Sequence, residues 1–199
     1  NITTQSYVAF DPANPTNVAT ASSLVGSDRK ILGNTLPTYF GGFTSTMIYK
    51  NLDFGFLIRF SGGNQVFNST RRDNLNQDLN NNSTEILGRW QSASNPGDGI
   101  TPKLWAGRGN FINLASAAST RFVEDGDFVS LDNVSFGYSL PKSLLEKIKL
   151  DKFRFFIQAQ NLLIITDYKG INPEMETFGV DLNGTPRAKV FSMGINVNL

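Results

Sequence analysis

The chain contains no cysteine and no histidine. Without cysteine there is neither a disulfide framework nor a thiolate metal site. Without histidine the chain lacks the usual general base and the commonest metal ligand of proteins. The many Ser and Thr hydroxyls therefore have no His or Cys partner to activate them, and we expect neither an enzyme nor a bound cofactor or metal.

Long apolar runs and a charge excess are missing too. No run of about 18 apolar residues could form a transmembrane helix, and no signal peptide begins at Asn1. The 18 Lys and Arg residues nearly balance the 17 Asp and Glu residues, so the charge gives no reason to expect a nucleic-acid partner. The length of 199 residues would suit one domain with a sizeable core.

What the chain does have is phenylalanine, 16 residues of it, and apolar residues that alternate with polar ones. Alternation with a period of two predicts β-strands, because successive side chains of a strand point to opposite faces. It predicts strands over 43–49, 52–60, 134–140, 153–159 and 190–199, and we allow for a sixth near Ile2–Val8. The apolar face of the last strand would consist of Phe191, Met193, Ile195, Val197 and Leu199.

The connections between these strands alternate between short and long. Lys50-Asn51 predicts a tight turn, and 141–152 predicts a compact link with a helical turn. The polar stretches 61–127 and 167–189 predict long loops. Short turns at one end and long loops at the other are typical of outer-membrane barrels, whose tilted strands need roughly 9–11 residues to cross the bilayer.

Two environments would explain a sheet with one apolar face. In lipid every backbone amide must pair within the protein, so a spanning sheet closes into a barrel with a lipid face and a polar lumen. A water-soluble β-sandwich shows the same alternation, with its apolar face turned to a core. The pattern alone favours neither. In the barrel the lumen wall would include Asp53, Arg59, Arg154 and Gln158.

Five short motifs occur in order along residues 31–199. They are Leu32-Gly33-Asn34 with Gly41-Gly42-Phe43, then Glu85–Trp90 with Asn95-Pro96, Phe128–Lys142, Gln160-Asn161-Leu162 with Tyr168, and Asn172-Pro173-Glu174 with Pro186-Arg187. Each resembles a segment of the SusC/RagA-type TonB-dependent receptors. The third is similar to the penultimate down-strand of that family, which ends in Gly-Tyr-x-Leu-Pro, and the fourth to the end of the up-strand that follows.

The resemblance implies an all-β chain whose antiparallel strands form part of a transmembrane β-barrel, 22-stranded in the full receptor. Residues 1–199 would be its C-terminal part, with about five to six strands and long extracellular loops at 61–127 and 167–189. The remaining strands, the plug and the TonB-box are not in this sequence, so we expect a fragment of the mature receptor.

The resemblance also implies a function in transport. The receptor would import a nutrient (a glycan, an oligosaccharide or a peptide) across the outer membrane of a Gram-negative bacterium, beneath a SusD-like surface lipoprotein. Its other partners would be the rest of the barrel and the plug, TonB through the missing N-terminal part, outer-membrane lipid, and the barrel-assembly machinery, which reads the C-terminal strand. Two alternatives stay open: a siderophore or vitamin receptor, and a soluble secreted β-sandwich that binds carbohydrate.

The first long loop carries the candidate ligand contacts. Loops on a rigid scaffold bind ligands, and Trp with Arg suits a sugar or a peptide. The candidates are Arg71, Arg72, Trp90, Trp105 and Arg108. We favour the alternative that Arg89-Trp90 packs against a neighbouring loop or the lid lipoprotein, because this element resembles a feature of the whole family while cargoes differ within it.

Overall fold

A computed structural model of the chain describes residues 31–75, 81–101, 120–174 and 179–199, together with the backbone of 7–10 and 18–21. These residues belong to two compact units. The first comprises Asn1–Leu32 and Asn68–Phe122, and the second comprises Gly33–Phe67 and Val123–Leu199.

The described strands of the first unit are short, and the second unit contains five long strands and three short ones. In chain order they are β1 (Tyr7–Phe10), β2 (Val18–Ala21), β3 (Tyr39–Tyr49), β4 (Leu52–Gly62), β5 (Gln65–Asn68), β6 (Val123–Asp125), β7 (Phe128–Ser139), β8 (Lys152–Ile165), β9 (Val180–Asp181) and β10 (Val190–Asn198). The described helices are α1 (Ser69–Asn74) and α2 (Lys142–Ile148), with short 3₁₀ turns at Thr84–Gly88 and Thr120–Phe122.

The five long strands form one antiparallel sheet in the order β10-β8-β7-β4-β3. They confirm the five strands that the alternation predicts. The strand allowed for near Ile2–Val8 overlaps β1 only at its end, and residues 2–6 lie outside the described residues. The sheet is open: β3 and β10 each have one neighbour, so both of its edges carry backbone groups without a partner strand among the described residues.

Connections at one end of this sheet are as short as predicted. Lys50, with a positive φ of 54°, turns β3 directly into β4. Helix α2 confirms the helical turn between β7 and β8; it follows Pro141, buries Leu145 and ends at Lys149 in the left-handed conformation. Within the described ranges, no helix is long or apolar enough to span a membrane.

A β-bulge at Asp132 keeps the faces of the sheet in phase. Val134 and Phe136 of β7 lie on the apolar face, and simple alternation would place Asp132 there as well. Instead the register with β4 shifts by one residue, so that Leu131 takes the apolar position. The Asp132 carboxylate pairs with Arg59, on the polar face. The bulge therefore turns a charge away from the apolar face.

No described part of the chain covers the apolar face. Phe155 is 38% exposed and Ile195 is 58% exposed. Phe54 is half-buried, and its ring centroid lies 5.9 Å from that of Phe56 on the same strand. A soluble sandwich would enclose these side chains between two sheets, and the described residues show no such packing.

Buried side chains are found instead where the chain leaves the large sheet. A small sheet, β6-β5-β9, forms within the stretches predicted as loops 61–127 and 167–189. Val66 of β5 is fully buried there, and the Phe67 amide donates to the Gly179 carbonyl at 2.8 Å. Nearby in the same unit, Tyr168 is 5% exposed and donates its hydroxyl hydrogen to Asp181 Oδ2 at 2.6 Å.

Candidate functional site

The polar face of the large sheet carries two groups of ion pairs, and the first joins Asp53 to Arg154. Arg154 Nε donates to Oδ1 at 3.0 Å and Nη2 to Oδ2 at 2.5 Å. The pair bridges β4 and β8 across β7, where Gly137 lies directly beneath it. A Cβ at Gly137 would collide with both the carboxylate and the guanidinium, so glycine makes room for this bidentate pair.

Phe156 is the aromatic residue that breaks the alternation of β8. It faces the polar side, opposite Gly194 of β10, and its ring occupies the space that a side chain at Gly194 would need. The Arg154 guanidinium lies 5.4 Å from the centre of the ring. The phenyl ring therefore closes over a glycine and beside a cation, which accounts for an apolar residue on this face.

The second group, which we call the four-charge cluster, consists of Arg59, Asp132, Glu174 and Arg187. Arg59 pairs with Asp132, and its Nη2 lies 2.8 Å from Glu174 Oε1. Arg187 Nη1 lies 2.5 Å from Glu174 Oε2 and 3.7 Å from Asp132 Oδ1. Two cations and two carboxylates thus alternate and neutralise one another. They tie the stretch 167–189 to the wall formed by β4 and β7.

Sequence reasoning placed only Arg59 of this cluster on the lumen wall. Glu174 and Arg187 belong to motifs quoted for the family resemblance, but nothing in their spacing shows that they meet. Asp132 reaches the cluster only because of the bulge. A search for charged residues at positions that alternation assigns to the apolar face would have found Asp132.

A cavity of about 320 Å³ lies beside the four-charge cluster. Its floor on the polar face is a cross-strand row, Phe40 opposite Ser61 and Ser61 opposite Phe128. Arg59 and Glu174 form its charged side. The cavity opens at the end of the sheet where the long connections lie.

In the first unit, Arg71 is held firmly. Its amide donates to the Asn68 side chain at the start of α1 at 2.8 Å. Its guanidinium holds Glu85 with two bonds, Nε to Oε2 at 2.9 Å and Nη2 to Oε1 at 2.5 Å, and lies 5.9 Å from the Phe122 ring centre. Among the predicted ligand contacts that the structure describes, Arg71 is the most enclosed, with 9% of its side chain exposed.

The other predicted contacts are placed differently. Arg72 follows Arg71 on α1 and pairs with its neighbour Asp73 at 2.9 Å. Trp90 lies on a separate loop, 38% exposed, and its amide donates to the Thr101 carbonyl at 2.9 Å. Trp105 and Arg108 lie outside the described residues. The structure thus brings Arg71 and Arg72 together on α1.

Asp98 closes the loop that carries Trp90. Its Oδ1 accepts from the amides of Thr101 at 2.6 Å and Ile100 at 2.8 Å, and its Oδ2 accepts from the Thr101 hydroxyl at 2.7 Å. These bonds, above all those from Thr101, lower the pKa of Asp98 to about 2. The Asp98 carboxylate is therefore a structural brace of this loop.

Outside the large sheet, two further groups have shifted pKa values; sequence reasoning quoted Tyr168 only as part of a family motif and did not single out Arg121. Burial lowers the pKa of Arg121, whose guanidinium lies 5.3 Å from the Phe122 ring centre and whose buried Nε and Nη2 have no hydrogen-bond partner. Burial, together with the bond to Asp181, raises the pKa of Tyr168. No group of three or more potential metal ligands occurs in the part of the chain that the structure describes.

The chain is similar in sequence to receptors of known type. It is 31% identical over 182 residues to TonB-dependent receptor P3 of Formosa agariphila, a match that covers 86% of this chain and 17% of that protein. It is 31% identical over 159 residues to TonB-dependent receptor SusC of Bacteroides thetaiotaomicron, covering 78% of this chain and 14% of SusC. No protein-family model matches the chain.

The fold is similar to solved structures of the RagAB peptide importer. The closed-closed state matches with a TM-score of 0.75 at 25% identity, over 96% of this chain and 20% of the solved chain. The open-open state matches with a TM-score of 0.76 at 25% identity, over 100% of this chain and 21% of the solved one. The chain thus spans between about a seventh and a fifth of the length of the proteins it matches.

These likenesses run through the strands that hold both groups of ion pairs, and they agree with an open antiparallel sheet that has one exposed apolar face. TonB-dependent receptors are outer-membrane proteins of Gram-negative bacteria. This chain belongs to the SusC/RagA-type TonB-dependent receptors, and its all-β fold is part of their transmembrane β-barrel.

Proposed function

We propose that the chain forms part of the wall and extracellular loops of an outer-membrane transporter that imports a glycan, an oligosaccharide or a peptide using energy delivered by TonB. The observation that carries the proposal is the two-sided sheet. One face exposes apolar side chains that no described residue covers, and the other carries paired charges beside a cavity. A polar lumen wall facing a nutrient pathway requires this division.

The partners follow from the same proposal. The bare edges of β3 and β10 would pair with further strands of the barrel, since an open spanning sheet leaves amides unpaired in lipid. A SusD-like lipoprotein would cover the loop end, and a plug and TonB-box elsewhere in the receptor would couple it to TonB. Because such a lipoprotein would meet the first long loop, we also propose that five residues of this loop contact the lid or the cargo. They are Arg71, Arg72, Trp90, Trp105 and Arg108.

The C-terminal strand has a proposed role of its own. Phe191, Met193, Ile195 and Val197 lie on the apolar side of β10, all strongly exposed, and Leu199 follows them. We assign them to the lipid-facing surface, and the barrel-assembly machinery would recognise the same alternation. Replacing Phe191 and Ile195 together by Ser should lower the amount of receptor in the outer membrane, whereas replacing Asn196 and Asn198 by Ser should not.

Transport is tested in cells. A strain lacking the receptor, grown on a peptide or oligosaccharide mixture as sole nutrient, should regain uptake when the receptor is restored, and should lose it again when TonB is depleted. The receptor should fractionate with the outer membrane and need detergent for extraction. Uptake that is unchanged without the receptor, or a receptor recovered in buffer without detergent, contradicts the proposal.

A further inference from the structure

We propose that the short-turn end of the large sheet binds the headgroups of anionic phospholipids. The surface consists of five exposed lysines, which we call the basic collar: Lys50, Lys142, Lys147, Lys149 and Lys152. The inference rests on the proposed function only for the side of the membrane, because the short turns of outer-membrane barrels lie on the periplasmic side. The partner is therefore a phospholipid of the periplasmic leaflet.

The five lysines come together because two connections lie next to each other at this end of the sheet. Lys50 forms the turn between β3 and β4, and the other four lie in the link 142–152, which consists of α2 and the start of β8. The amide of Ser139, at the end of β7, donates to the Asn51 carbonyl of the turn at 2.8 Å. The basic collar thus follows the ends of four neighbouring strands, β3, β4, β7 and β8.

The charge of the basic collar is not neutralised by the chain around it. None of its lysines forms an ion pair with a residue that the structure describes. The stretches 49–52 and 138–152 hold five lysines and two carboxylates. The long connections 123–127 and 166–189 of the same unit hold seven carboxylates and three cations. The positive charge is therefore a local property of the short-turn end, in a chain whose net charge is only +1.

Exposed apolar groups lie beside these lysines. On α2, Leu144 and Ile148 are both exposed and are four residues apart, so they share one side of the helix. At the turn between β3 and β4, Lys50 Nζ lies 5.3 Å from the centre of the exposed Tyr49 ring. Tyr49 pairs with Leu52 at the end of the apolar face. Aromatic residues at this position in a barrel wall lie at the membrane–water interface, so the basic collar lies at the depth of the lipid headgroups.

The apolar face next to the basic collar indicates the class of partner. A phospholipid whose acyl chains pack on that face brings its phosphate to the depth of the lysines. An ammonium group on a flexible stem has three donors, which suits a phosphate on a mobile surface. A zwitterionic lipid neutralises its own phosphate with choline or ethanolamine, so unpaired lysines favour an anionic lipid such as phosphatidylglycerol. A soluble acidic protein would match the lysines alone and would not account for their continuity with the apolar face.

The test measures which lipid gathers next to the basic collar of the full receptor. Ile157→Cys, labelled with the fluorophore bimane, reports from the apolar face of β8, opposite Phe136 of β7. This chain supplies no other cysteine, and any cysteine elsewhere in the receptor is first replaced by Ser. The receptor is refolded into phosphatidylcholine vesicles, in which a growing share of the lipid is replaced by phosphatidylglycerol or by phosphatidylcholine. The added lipids carry the same brominated acyl chains, which quench the fluorophore.

At low salt, brominated phosphatidylglycerol should occupy the site in preference to brominated phosphatidylcholine by about threefold or more. The preference should vanish in about 1 M NaCl, where the Debye length falls to about 3 Å. Replacing all five lysines of the basic collar by Gln should abolish it. Replacing all five by Arg should keep it, because Arg retains the charge.

A pair of double variants provides the matched control. Lys142→Gln with Lys147→Gln removes two charges from the basic collar and should reduce the preference. Lys169→Gln with Lys189→Gln removes two charges from the exposed long connection of the same unit and should leave the preference unchanged. Heat-modifiable migration confirms that each variant is folded. Equal recruitment of the two brominated lipids overturns the inference, as does a preference that persists in 1 M NaCl or after all five Gln replacements.

The outcomes separate this inference from the proposed function. If the lipid preference is absent while the receptor still supports TonB-dependent uptake, only the assignment of the basic collar is wrong. If the receptor takes no part in uptake but shows the preference, the proposed function fails and the lipid assignment stands.

Discussion

In the small sheet β6-β5-β9, Val66 is fully buried, whereas on β10 of the large sheet Phe191 is 73% exposed and Met193 is 79% exposed. Both sheets belong to one unit, and β5 and β6 of the small sheet pair antiparallel, as the strands of the large sheet do. The small sheet encloses its apolar side chains with its own chain, as a protein region in water must. The large sheet leaves its apolar face to be covered from outside the chain, which is what lipid does for a barrel.

Polar groups follow the same division. In the large sheet, charges are gathered on one face and paired across strands, as Asp53 and Arg154 are over Gly137. Near the small sheet, the polar groups of Tyr168 and Asp181 are buried together. The large sheet therefore separates its polar and apolar groups by face, whereas the small sheet region buries both kinds and pairs its buried polar groups with each other.

The strongest test of the contrast between the two sheets is a charge placed on the apolar face of the large sheet. Ile195 and Ser192 lie on β10 and point to opposite faces. Ile195→Arg places a cation against hydrocarbon and should cost about 2–4 kcal/mol near the middle of the membrane. Ser192→Arg places it on the polar face, opposite the neutral Gln158, and should be tolerated. Urea unfolding of receptor refolded into lipid vesicles measures both. Equal losses would show that the two faces do not differ.

The polar face of the large sheet is the next place to test. Gly137→Val puts a side chain where Asp53 and Arg154 meet, and we expect a loss of about 1–3 kcal/mol in unfolding free energy. Gly184→Val is the control, because a Cβ at Gly184 meets nothing within 4 Å. The same unfolding assay compares them. A Gly137→Val variant as stable as Gly184→Val would mean that the ion pair does not depend on the glycine.

Loss of the buried hydrogen bond near the small sheet should loosen that region alone. Tyr168→Phe removes the hydroxyl that donates to Asp181 and should cost about 1–2 kcal/mol locally. Faster amide hydrogen exchange in 179–183, with no change in β8 and β10, is the expected result. Tyr49→Phe, at an exposed position, should leave exchange unchanged. Exchange that accelerates throughout the large sheet would contradict the separation of the two regions.

The smallest expected effect is on the Trp90 loop. Because the folded pKa of Asp98 is about 2, below its ordinary value of 3.8, its support is present above pH 3.8 and is lost as the pH falls through 2. The emission of Trp90, taken as the difference between the wild type and a Trp90→Phe variant, should shift to the red between about pH 4 and 2. Asp98→Ala should show the shifted spectrum already at pH 7. If neither acidification nor Asp98→Ala changes the emission spectrum, Asp98 does not support the Trp90 loop.

The large sheet was predictable because its strands are long enough to show a period of two. The small sheet was not, since β5 has four residues and β9 only two, too few for a pattern. The bulge at Asp132 left one sign in the sequence, a carboxylate at an apolar position, but alternation alone does not distinguish a bulge from a charged residue on the apolar face. The four-charge cluster was hidden because its members come from distant parts of the chain.

The candidate ligand residues show another limit. Arg71 is the type of residue that often contacts a ligand, but the structure pairs it with Glu85, 14 residues further along the chain. From the sequence, an Arg in a loop is readily interpreted as a ligand contact. Only the fold shows which carboxylate it pairs with. The cavity beside Arg59 had no sequence signal at all, because its lining alternates among strands and loops.

The most direct test of a lipid-covered apolar face uses spin labels. The chain has no cysteine, so Ile195→Cys and Asn196→Cys each give one labelling site within it. In lipid vesicles, the label at 195 should collide readily with oxygen and poorly with a water-soluble nickel chelate, and the label at 196 should do the reverse. If the label at 195 is reached by the nickel chelate, or is shielded from both reagents, then lipid does not cover this face.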